Sequence, residues 1–103
     1  MILRLWRGWT TPENAAAYEK IVSTEVLPSI AARNLDGYLG AYLVRRELDG
    51  EVEFATILKF TSLDKVRAFT GEDYETAYVP PQARAVLSRF DERSAHYDVL
   101  LEP

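Results

Sequence analysis

Residues 2–10 alternate along the chain, with Ile2, Arg4, Trp6 and Gly8 on one side and Leu3, Leu5, Arg7 and Trp9 on the other. A period of two carrying aromatics predicts a strand. After "TTPEN" the period lengthens. Thr11 suits an N-cap, Pro12 the first helical position and Glu13 the positive helix end. Tyr18, Val22, Val26 and Ile30 then recur four apart with Ala15 and Ile21 beside them, which predicts one buried helical stripe. Pro28 falls inside it and predicts a kink, or a break with a short final turn; Asn34 can close the helix in the left-handed region. "DGYLGAYLVRREL" and "EVEFATILKF" read as strands joined by an Asp49–Gly50 hairpin turn. "TSLDKVRAFTG" is a second helix, capped by Ser62, packed through Leu63, Val66 and Phe69 and stopped by Gly71. "EDYETAYVPPQARAVLSRF" is an irregular excursion, predicted to hold a helical turn around Tyr74–Tyr78 and another opened by Pro81. A fourth strand is expected from about Arg89 to Leu101.

The order is β-α-β-β-α-β. It predicts one α+β domain over 1–103, ferredoxin-like, with two helices on one face of a four-stranded antiparallel sheet. Both parities of the first three strands carry apolar residues, so the second face needs a cover. A homodimer joined face to face supplies one.

Composition narrows the chemistry. The net charge of -4 argues against nucleic acid or an anionic membrane as partner. Absence of cysteine removes disulfides, thiolate metal sites and a thiol nucleophile, and a single histidine, His96, leaves no metal-ligand set. No apolar run reaches the length of a membrane span. "MILRLWRGW" carries Arg4 and Arg7 within its apolar run and no cleavage site, so it reads as a strand rather than a signal peptide, and a cytoplasmic location is the default.

"MILRLWRG", "FATILKFTSLDKVRAF" and "YVPPQARAVLSRF…HYDVL" cover nearly the whole chain. Together they resemble the antibiotic biosynthesis monooxygenase family of the dimeric α/β-barrel superfamily. The middle segment corresponds to the family's strand–aromatic–x–Ser–helix junction, with Phe60 where tryptophan is common and Ser62 as the cap. The resemblance implies a dimeric barrel, strand order 4-1-3-2, and membership beside cofactor-free quinol monooxygenases, haem-degrading enzymes and proteins of unknown activity. Phe69 stands where many quinol-monooxygenase relatives carry a histidine. The haem-degrading relatives take their iron ligand from the same helix, so no haem or other cofactor is expected here.

His96 is the one side chain whose ordinary pKa suits acid–base work near neutrality. Facing the sheet–helix cavity near Trp6, or else the dimer barrel, it can orient a phenolic hydroxyl or take its proton; the competing reading is a hydrogen-bonded structural histidine. Trp6 beside Arg4 suits an aromatic substrate with an anionic or carbonyl oxygen, or else Trp6 is core and Arg4 pairs with a carboxylate. Tyr78, four after Tyr74, offers a lid hydroxyl or a core seal, and Tyr42, Phe60 and Phe69 line an apolar pocket or are core. Three functions stay open: a cofactor-independent monooxygenase acting on a small quinol or phenol, a non-catalytic dimeric small-ligand-binding or stress-related protein, and a non-oxidative isomerase or cyclase.

Overall fold

Alternation in the first nine strand residues puts β1 (Ile2–Thr10) at the centre of the sheet in the computed structural model, which describes residues 1–103. β2 (Tyr38–Glu47) and β3 (Val52–Phe60) form the predicted hairpin, with Gly50 at φ 75° in its turn. β3 pairs antiparallel with β1 from Ile2↔Phe60 to Thr10↔Val52. The other edge of β1 carries β4 (Arg89–Phe90) and β5 (Ala95–Asp98), giving the order β2-β3-β1-β4, with β5 also on β1. This is the expected ferredoxin-like arrangement.

The single fourth strand expected from Arg89 to Leu101 is instead two short pieces. Between them the chain leaves β1 and pairs with the excursion: Thr76 bridges Arg93, Ala77 N–H donates to the Glu92 carbonyl at 3.0 Å, and Ser94 N–H donates to that of Glu75. The helical turn expected around Tyr74–Tyr78 is therefore absent, because those residues spend their backbone groups on residues 92–94. The second turn exists as α4 (Pro81–Arg84); α3 (Leu63–Thr70) is capped as expected, the Ser62 hydroxyl accepting from Lys65 N–H, and ends at Gly71 with φ 103°.

The first helix is continuous but not uniform. α1 (Ala15–Ile21) follows a turn in which the Thr11 hydroxyl accepts from Asn14 N–H, so Asn14 rather than Thr11 is the cap residue. The residues Val22–Val26 form a π-helical turn, and α2 (Leu27–Ala32) follows. Pro28 lies in the first turn of α2, where its missing N–H is tolerated; the helix widens ahead of it rather than breaking. Asn34 adopts φ 49°, as its position predicted.

Alternation sends Phe54, Thr56, Leu58 and Phe60 of β3 to the helix side with Arg4 and Trp6. Two separate cores result. Tyr18, Val22, Val52, Phe54, Val79 and Ala83 pack at one end, and Ile2, Leu58, Phe60 and Val66 at the other. On the opposite face Leu39, Tyr42, Val44 and Tyr97 are about half exposed, at 50%, 60%, 46% and 55%. No helix is long and apolar enough to cross a membrane.

Candidate functional site

A cavity of about 610 Å³ opens on the helix side of the sheet. Arg4 and Trp6 of β1 and Thr56 and Leu58 of β3 contribute the sheet wall. Val26, Leu27 and Ile30 come from the π-turn and α2, Phe69 from α3, and Thr76–Pro80 form a rim. Trp6 is fixed by its indole N–H, which donates to the Asp91 carbonyl at 2.7 Å, and by Phe90 at 6.1 Å between ring centroids. Gly8 makes room for it: a Cβ there would lie 3.0 Å from the Trp6 ring and 3.1 Å from Leu87.

Arg4 is the chemical centre of this wall. Its side chain is only 7% exposed, yet none of the chain's ten ion pairs includes it. Burial lowers its pKa, and nothing acidic offsets that. A guanidinium remains charged at neutral pH, so an uncompensated cation sits in the cavity wall. The carboxylate partner that a purely structural Arg4 would require is absent. Nη1 donates to the Tyr74 carbonyl and contacts His96 Nε2 at 2.9 Å.

His96 pairs directly with Arg4 across β1 and β5, on the same face, but it is not a lining residue of the cavity. It stands behind Arg4, edge-on to Tyr74 at 5.1 Å. Arg4 is donor only, so Nε2 accepts and the neutral ring carries its proton on Nδ1. That nitrogen is buried without a partner. Burial first, then the positive charge of Arg4, pushes the His96 pKa below its ordinary value, with Glu75 opposing. The expected placement in the cavity wall near Trp6 is thus corrected: Trp6 lies diagonally across the ladder, and Arg4 intervenes between His96 and the cavity.

Phe69 lines the cavity and Tyr78 lies on its rim, 82% exposed. Phe60 does not line it; fully buried, it packs on Phe69 at 5.5 Å and Tyr38 at 5.6 Å. Tyr42 points to the opposite face of the sheet, because it pairs with Ile57 and shares that residue's parity. Two cavity residues went unnoticed as site candidates. Tyr18 is 2% exposed, and burial alone raises its hydroxyl pKa. Arg33 stacks on Phe69 at 5.0 Å and has no ion-pair partner. A tyrosine within a stripe of valines and isoleucines was the available signal for Tyr18; Arg33 had none.

No protein-family model matches the chain, and no curated protein matches it. Solved structures do. A Bacillus cereus protein assigned as an antibiotic biosynthesis monooxygenase superposes with a TM-score of 0.68 at 9% identity, covering 99% of this chain and 95% of that one. The haem-degrader MhuD of Mycobacterium tuberculosis, solved with two haems in its active site, gives 0.66 at 17% identity over 100% and 99%. A histidine-held haem does not fit the residues here: Phe69 occupies the cavity side of α3, and the one histidine is turned to Arg4. What this chain has in common with both proteins is the whole ferredoxin-like fold, end to end.

Proposed function

We propose that the chain is a cofactor-independent monooxygenase of a small phenol or hydroquinone, working as a homodimer joined through the outer sheet faces. The observation that carries the reading is the buried, carboxylate-free Arg4 beside Trp6 and Phe69 in the wall of one cavity. A guanidinium placed there stabilises a phenolate, and the aromatic walls hold its ring and exclude water. An electron-rich anion can then reduce O2 directly. The reaction is hydroquinone plus O2 to hydroxyquinone plus water. The ring loses four electrons, two in becoming a quinone and two in exchanging a C–H for a C–O bond. Of the two oxygen atoms, one stays on the ring and the other leaves as water with two of the ring's former hydrogens. The substrate enters as its anion, its proton passing to solvent at the mouth, since His96 is not in the wall. The half-exposed apolar outer face supports the dimer.

Oxygen uptake over a panel of hydroquinones, with isotopic oxygen traced into product, tests this. One labelled atom per product, formed faster than in buffer and lost in Arg4→Ala, is expected. The position of His96 favours a second reading, a binding protein without turnover, because the one imidazole of the chain stands outside the cavity wall and is engaged by Arg4. Ligand binding with oxygen uptake no faster than in buffer would establish that reading and remove the first.

A further inference from the structure

Nη1 of Arg4 carries two hydrogens, and both are directed into the protein, one to the Tyr74 carbonyl and one to His96 Nε2. Neither Nε nor Nη2 has an acceptor in the chain. They are not sealed away either, because His96 Nδ1 is the only buried side-chain nitrogen or oxygen without a partner. With Arg4 in the cavity wall, the side of the guanidinium left open is the Nε–Nη2 edge, two parallel N–H donors in one plane.

The geometry points to a fork for a planar pair of oxygens borne by an aromatic ring: either an aromatic carboxylate or two oxygens on adjacent ring carbons. This specifies the ligand of the pocket proposed above and rests on that reading. Trp6 and Phe69 take the ring while the fork takes its polar edge. A lone phenolic oxygen, or two oxygens para to each other, can use only half of the fork. His96 becomes a positioning residue. It touches no ligand, but by accepting from Nη1 it keeps that nitrogen inward and the Nε–Nη2 edge outward. Its own orphaned Nδ1 is consistent with a ring held for its other nitrogen.

Anaerobic titration with benzoate, catechol, phenol and 1,4-hydroquinone at pH 7.5 tests the fork without turnover. Benzoate or catechol should bind at least about tenfold more tightly than phenol and 1,4-hydroquinone, as bidentate charge-assisted pairing requires. Whichever of the two binds more tightly identifies the source of the oxygen pair. Arg4→Lys keeps the charge but not the fork, so the preference for catechol over phenol should fall to about one and that for benzoate to what charge alone supplies. His96→Ala should weaken the preference and His96→Gln, which retains an acceptor, should restore it; a merely structural histidine would leave the ratio unmoved. Equal binding of paired and single oxygens by the unaltered protein overturns the fork, as does a preference that Arg4→Lys leaves undiminished. Tight benzoate with no oxygen turnover retains the fork and sinks the oxygenase; turnover with no preference for paired oxygens does the reverse. Failure of all four probes to bind overturns both.

Discussion

Arg4 on β1 and Val44 on β2 belong to one sheet, on opposite faces, and each is where simple sorting by polarity would not put it. The face under the helices buries a guanidinium to 7% exposure, while the face without helices leaves Val44 at 46% and Tyr42 at 60%. Alternation is equally regular on both. What differs is the cover. On the inner face the two cores lie at opposite ends and the cavity opens between them, so a charged side chain can be enclosed without being fully desolvated. The outer face carries no helix, and the homodimer proposed above would be its cover. Surface polarity here therefore reports on what each face meets, not on which face is inside.

Four substitutions would break or sharpen that contrast. The largest effect belongs to the inner face: Phe60→Ala should destabilise the fold by about 3–5 kcal/mol in denaturant titration, since the ring is fully buried between Tyr38 and Phe69. Next comes the outer face. Val44→Asp should weaken self-association at least about a hundredfold, roughly 2.7 kcal/mol, by burying an unpaired carboxylate. Light scattering at micromolar concentration should report about twice the monomer mass for the unaltered chain and one mass for the variant. A monomeric unaltered chain would remove the outer half of the contrast.

Smaller in size is Gly8→Ala. The added methyl meets Trp6 and Leu87, and overpacking of this kind costs about 1–3 kcal/mol. The Trp6 fluorescence should change with it as the ring is displaced. The smallest effect is His96 and pH. Its folded pKa lies below the ordinary value, so the unfolded chain binds its proton first as pH falls. Its contribution is complete above the unfolded value of about 6.5 and is lost as pH falls toward the folded value. Melting temperature should therefore decline between pH 7 and pH 5, and His96→Gln should flatten that slope. The depressed carboxylates Asp36, Glu51 and Glu53 start from 3.8, 4.5 and 4.5, so they titrate below this window.

Local signals sufficed for most of the frame. The β1 alternation, the Asp49–Gly50 turn and the Ser62 cap depend on neighbours a few residues away, and each appeared where its residues placed it. The final strand needed more. Residues 92–94 leave β1 because Glu75–Ala77 offer them backbone partners, an arrangement that spacing along the chain does not encode, although the charged run "DER" at 91–93 broke the apolar pattern there. The same non-local pairing defeated the helical reading of Tyr74 and Tyr78, whose separation by four residues mimicked a helix face. In the site, Arg4, Trp6 and Phe69 were legible as candidates from strand parity and helix spacing. Tyr42 was not placed correctly, because parity does not say which face of β2 meets the helices. The position of His96 was half legible: its strand was, and the family resemblance placed that strand beside β1, but not that Arg4 would stand in front of it.

The π-turn at Val22–Val26 has a consequence for how this chain tolerates change in length. Leu27 N–H reaches back five residues to the Val22 carbonyl, so the turn holds one residue more than an α-helix would. Removing one of Ser23, Thr24 or Glu25 would restore ordinary winding, and because the wide turn had already absorbed about 100° of rotation, everything beyond it would keep its face relative to α1. Tyr18 and Val22 would keep their seats in the core, and Leu27 and Ile30 theirs on the cavity. A single-codon deletion there would shorten the helix without parting the segment that holds the fold from the segment that shapes the pocket.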